Sequence, residues 1–166
     1  MLRPFLLALV LLAVAAPAAS ARTIVVPKRF ATQLERAHAQ TEVPILLPQK
    51  MTADFRRFFA EGRATAGAWR FDLGAVCDCN QATVCFIAEF KAVRDKRPSG
   101  RRTIRLDRGR TGYYRPLRCG ASCSPPSIEW RERHALYSIQ AKVSGPGSDR
   151  RALKRMANSA IRHGPR

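Results

Sequence analysis

Five cysteines stand in two clusters, Cys77, Cys79 and Cys85, then Cys119 and Cys123. Thiols in this pattern suit three kinds of chemistry. They can close disulfides. They can offer four thiolates to Zn²⁺ or Cu(I), although the spacing is not the paired Cys-x2-Cys of zinc ribbons and no His flanks it closely. They can exchange electrons, which calls for Cys-x2-Cys at a helix start, where the helix dipole lowers a thiol pKa. This chain instead places Cys-x3-Cys beside Pro125 and Pro126. A second group of residues is suited to binding. Arg101, Arg102, Arg105, Arg108, Arg110, Arg115 and Arg118 crowd one stretch, with Asp107 its one acid and with Tyr113 and Tyr114 interleaved. Arginine forks pair bidentately with phosphate or carboxylate, and tyrosine adds stacking or interfacial anchoring.

The first 21 residues decide how the thiols are read. Arg3 gives a positive start, Phe5 to Ala16 is an apolar run, and Ala19-Ser20-Ala21 is a small-x-small cleavage site. That is the pattern of a secretory signal peptide, with cleavage expected after Ala21. The run is too short for a stable membrane span. In the periplasm or outside the cell the cysteines are read first as disulfides, with one thiol left over because the number is odd. A hairpin centred on Gln81 would set Cys77 opposite Cys85, and Cys119–Cys123 could close its own loop. Alternatively Cys79 could join one of that pair and tie the two loops together. The thiol alternative keeps the Cys77/Cys79/Cys85 and Cys119/Cys123 clusters for metal or redox work. The disulfide reading implies no metal and no cofactor.

The net charge is +18, and 24 of the 30 basic residues are Arg. Such a surface draws anionic partners, among them lipid headgroups, lipopolysaccharide phosphates, acidic polymers and protein partners. Export disfavours nucleic acid and leaves peripheral membrane contact open. A solvated face that discourages edge-to-edge aggregation is the plainer account of the same charges. Catalysis finds little support. There is no Gly-x-Ser-x-Gly and no His-Glu-x-x-His, so neither a nucleophile elbow nor a zinc protease helix is present. His38, His134 and His163 fall on a helix, a bend and the tail. Asp72, Glu89 and Glu129 fall on strands, where spacing alone does not pair them for acid–base work. A non-catalytic binding protein is the expectation.

These residues need elements to hold them. Residues 22–166 are expected to form one exported domain with an extended arm at 22–28 and a disordered tail at 164–166. Residues 29–40 carry helical spacing through Phe30, Leu34 and Ala37. Val43-Pro44-Ile45-Leu46-Leu47-Pro48 reads as a proline-bounded edge strand, and Thr52 can cap a short helix containing Phe55, Phe58 and Phe59. Trp69 and Phe71 alternate with Arg70 and Asp72, and a long strand is expected over 82–93. Ile128 and Trp130 lead into a bend at Arg133-His134, and Tyr137 and Ile139 return from it. Ser148 can cap a helix over 149–163 whose stripe is Leu153, Met156, Ala157, Ala160 and Ile161. The fold class is α+β, a twisted antiparallel sheet of about five to seven strands with an N-terminal and a C-terminal helix on one face.

The C-terminal third resembles a bacterial extracytoplasmic domain family of unknown function, whose members close with a hairpin and then a helix. Ile128, Trp130, Tyr137, Ile139, Leu153, Met156, Ala157, Ser159 and Ile161 carry the likeness, and the segment Val43 to Pro48 is similar to the family's first strand. The resemblance implies an α+β fold and no particular chemistry.

Overall fold

The computed structural model describes residues 21–77, 79, 82–99, 102–143 and 148–166, and for Arg102 the backbone alone. The expected leader, apart from Ala21, lies outside the described residues, as does Arg101. The chain runs β1 (Arg22–Val25), α1 (Val26–Arg29), α2 (Ala31–His38), β2 (Lys50–Ala53), β3 (Phe59–Thr65), β4 (Ala68–Gly74) and β5 (Phe86–Arg94). It continues with β6 (Arg102–Arg105), a 3₁₀ turn (Asp107–Gly109), β7 (Thr111–Arg115), β8 (Arg118–Cys119), β9 (Cys123–Ser124), β10 (Ser127–Glu132), β11 (Ala135–Ala141) and α3 (Asp149–His163). Among the described residues, seven strands form one antiparallel sheet in the order β3-β4-β5-β11-β10-β7-β6. β1 pairs with β2, and β8 with β9, as separate two-stranded ribbons. The fold is therefore α+β.

Period-two alternation divides the sheet into two faces. On the core face Phe71, Phe90, Ile139, Ile128 and Tyr114 line up strand by strand, and beside them run Trp69, Ala92, Tyr137, Trp130 and Gly112. Small residues make room for large ones in these rows. A Cβ on Gly112 would come within 3.0 Å of Ile104 and Leu106. Phe30 stacks on Phe71 at 5.2 Å and meets Phe90 edge-on at 6.0 Å. Helix α3 begins as its sequence dictates, with Ser148 Oγ accepting from the Arg151 N–H, and buries Leu153, Met156, Ala157, Ala160 and Ile161. That stripe joins the same apolar core as the sheet.

Several expectations are corrected. The arm at 22–28 is a strand and one helical turn, because β1 finds a partner in β2. The short helix capped by Thr52 does not form: Thr52 lies inside β2, which pairs with β1, Phe55 and Phe58 lie in irregular chain, and Phe59 opens β3. Val43 to Pro48 is no strand. Val43, Ile45, Leu46 and Leu47 are buried, and side chains satisfy one of its carbonyls. Pro44 O accepts from Trp69 Nε1 at 3.2 Å and Tyr137 Oη at 2.9 Å. β5 starts at Phe86, and Val84 is left exposed. The tail is held. The Arg166 N–H donates to Ile45 O at 3.0 Å and its guanidinium to Gln49 Oε1 at 2.7 Å.

Gly62 lies inside β3 beneath the buried Phe71 ring. A Cβ there would stand 2.6 Å from Phe71 Cδ1 and 2.7 Å from Gln33 Cβ. Gly62→Ala is expected to cost about 1–3 kcal/mol of stability, the range for overpacking. Gly67→Ala, whose nearest neighbour is Arg94 Cβ at 4.0 Å, is expected to change stability by no more than about 0.5 kcal/mol. Urea unfolding of the two variants checks this, and equal midpoints would show that Phe71 and Gln33 yield without cost.

Candidate functional site

The second face of the sheet is polar, and two pieces of chain shape it. β6 lies beyond β11, β10 and β7 from β5, so the connection must cross those strands. It is fastened to their polar face. Ser99 donates from its N–H to Glu129 Oε2 at 2.7 Å and from its hydroxyl to Glu129 Oε1 at 2.9 Å. Arg131 Nη1 donates to Lys96 O at 3.2 Å. The other piece is the β8–β9 ribbon, closed by the Cys119–Cys123 disulfide. Thr83 Oγ1 donates to Cys123 O at 3.0 Å, and Gln140 Nε2 to Pro125 O at 2.9 Å, which ties the ribbon region to the sheet.

Between strap and ribbon opens a cleft of about 720 Å³. Arg115, Ser127 and Gln140, directly opposite one another on β7, β10 and β11, contribute to it. So do Ser99 on the strap, Arg118 and Ser124 on the ribbon, and Pro116 and Pro125. Among the described residues no Asp or Glu lines it. Among the described residues neither Arg115 nor Arg118 has a carboxylate partner. Two guanidinium forks with hydroxyls beside them can hold a dianion.

Among the described residues the expected arginine ridge is divided. Arg115 and Arg118 both line the cleft. Arg105 is exposed at the β6 edge, opposite Thr111. Arg108 sits on the 3₁₀ turn and donates to Arg162 O at 3.3 Å. Arg110 is engaged by Glu132 at 2.5 Å. Arg102 is placed by its backbone opposite Tyr114. Tyr113 and Tyr114 are neighbours on one strand and so face opposite ways. Tyr113 lies on the polar face, and Tyr114, buried at 7 % exposure, is among the residues that line the cleft. Sequence reading missed Ser99, Ser124, Ser127 and Gln140. The available signal was that Ser127 precedes Ile128 and Trp130 out of phase with them.

Farther along the same face, carboxylates and cations neutralise one another. Asp72 and Glu89 are opposite in register. Arg70 bridges them, with Nε 2.8 Å from Asp72 Oδ2 and Nη2 2.6 Å from Glu89 Oε2. Lys91 Nζ reaches Glu89 Oε1 at 2.5 Å. Both Glu89 oxygens are thus taken, although the residue is buried. Burial raises the Asp72 pKa above the ordinary carboxylate value, against the opposing pull of Arg70. None of His38, His134 and His163 has a described carboxylate within ion-pair distance. The network closes charge and leaves no free acid–base pair. A raised folded-state pKa stabilises below the unfolded value, and that contribution is lost as pH rises through the folded one. Asp72→Asn is therefore expected to gain stability relative to the native chain between about pH 3 and 7. Chemical unfolding across that range checks the sign; a native chain that gains instead would show that Arg70 outweighs burial.

The cysteines pair as Cys79–Cys85 and Cys119–Cys123, with Cys77 free and exposed. The Cys77–Cys85 alternative fails on register. Leu73 faces Ala88, the ladder shifts by a bulge, and the Ala75 N–H then donates to Cys85 O at 2.8 Å. Cys85 therefore lies beside Ala75 and not beside Cys77. With four cysteines bridged, the four-thiolate set is not assembled, and no group of three or more potential metal ligands occurs among the described residues. Two disulfides are consistent with an oxidising, extracytoplasmic location. The chain matches no protein-family model, no curated protein and no solved structure. Thiol titration of the unreduced, denatured chain is expected to give one thiol, abolished by Cys77→Ser. A result of five would remove both bridges.

Proposed function

We propose that the chain is a small exported, non-catalytic protein that binds an anionic component of the cell envelope in the cleft between the strap and the disulfide ribbon. The observation that carries this reading is the pair Arg115 and Arg118, which share a cleft whose described lining holds no carboxylate, whereas Arg70, Arg94, Arg110 and Arg162 are ion-paired. The net charge of +18 supports it by drawing anionic surfaces from a distance. The disulfides support release into the periplasm or the medium after cleavage following Ala21. Likeness to the extracytoplasmic family fits the same picture, with α2 and α3 together covering the core face and leaving the polar face to the ligand.

Phosphatidylglycerol vesicles and immobilised heparin are suitable probes. Replacing Arg115 and Arg118 together with Ala is expected to weaken vesicle binding at least about tenfold, since charge-assisted hydrogen bonds contribute about 1.5–3 kcal/mol each. The control is Arg151→Ala with Lys154→Ala, two exposed cations on α3 that remove the same charge. Added salt should weaken what the control retains. Equal losses in the two double variants would reduce the effect to net charge and sink the cleft. Retention unchanged in both would favour a protein partner.

A further inference from the structure

Hydrogen bonds already made inside the cleft narrow its ligand beyond "anion". The Ser99 hydroxyl gives its proton to Glu129, so its oxygen faces the cleft as an acceptor. Gln140 spends one amide N–H on Pro125 O, and its Oε1 is an acceptor as well. A bare sulfate has nothing to donate to these two oxygens, and hydrogen phosphate has a single P–O–H for the two of them. A ligand that satisfies Arg115, Arg118, Ser99 and Gln140 together must carry negative charge and hydroxyl donors on one molecule. Pro116 and Pro125 add flat apolar surface of the kind that packs against the C–H face of a sugar ring. The volume, about 720 Å³, lies within the range of sites that take small organic ligands, about 300–1,000 Å³.

We infer that the cleft recognises a phosphorylated saccharide, with the phosphate on Arg115 and Arg118 and ring hydroxyls donating to Ser99 Oγ and Gln140 Oε1. This rests on the anion-binding reading above and names the ligand class of the same cleft. The chemistry is shared by a free sugar phosphate and by a phosphorylated sugar carried on a lipid.

NMR titration of the folded chain with glucosamine 1-phosphate, inorganic phosphate and glucosamine separates the possibilities. The sugar phosphate is expected to bind about tenfold tighter than either fragment. Ser99→Ala keeps the backbone bond to Glu129 and removes the acceptor; Gln140→Leu removes the other. Each is expected to weaken the sugar phosphate about three- to tenfold and leave inorganic phosphate unchanged, the loss of one hydrogen bond. Replacing both arginines with Ala is expected to abolish both. On vesicles carrying a phosphorylated glucosamine lipid, displacement by the soluble compound would place both sources in one site. Equal affinity for the two anions, with Ser99→Ala and Gln140→Leu silent, would overturn the saccharide and leave the anion site standing. Vesicle binding through the same arginines with no response to either soluble anion would overturn it in favour of a lipid phosphodiester. No response anywhere would overturn both readings.

Discussion

The structure depends on a stretch of backbone that is neither helix nor strand. Val43 to Pro48 passes through the core, and buried peptide groups without partners are costly. Pro44 and Pro48 bring no N–H to satisfy. Two of its carbonyls, those of Pro44 and Ile45, are met from three directions. Trp69 on β4 and Tyr137 on β11 both donate to Pro44 O, and the Arg166 N–H, beyond α3, donates to Ile45 O. Gln49, just after, accepts at its carbonyl from the Val26 N–H and donates its own N–H to Ser159 Oγ on α3. One irregular segment thereby fastens the sheet, the first ribbon and the last helix. Burial also pushes the Tyr137 pKa above its usual range, so the phenol stays a neutral donor.

With the apolar face closed in this way, charge must collect on the other face, and it is handled in two ways. Toward β4 and β5, Asp72, Arg70, Glu89 and Lys91 alternate in sign and satisfy one another. Such a network costs desolvation and is kept only if nearly every lone pair is used. Toward β7 and β10, neither Arg115 nor Arg118 has a carboxylate partner among the described residues. The same residue type is structural at one end of the sheet and available at the other, and the difference lies in what faces it across the strands.

That distinction explains what was legible in the sequence. Period-two and helical patterns located β4, β10, β11 and α3, because one buried face leaves a strong alternation. The core residues Trp69, Phe71, Trp130 and Tyr137 followed from the same signal. The segment around Pro44 was misread because its apolar run imitates a strand while its hydrogen bonds come from side chains far away in sequence. Arg115 and Arg118 were visible as members of a charged stretch. What separates them from Arg110 is the position of Glu132 on β10, a long-range fact. The donors and acceptors of the cleft were invisible for a related reason: Ser99 matters only through Glu129, and Gln140 only through Pro125.

The disulfides bear on function through the same cleft. A two-residue ladder such as β8–β9 is too short to persist alone, and the Cys119–Cys123 bond restricts the alternatives open to it. Its neighbour, the Cys79–Cys85 loop, reaches the ribbon through Thr83 and Cys123. Both bridges therefore support the flank that carries Arg118 and Ser124. Opening them would leave the large sheet its hydrophobic core but remove the covalent support from that flank. The two bridges, consistent with an oxidising location, are in this sense part of how the cleft is shaped, and the same cysteines that invited a metal or redox reading act as its scaffold.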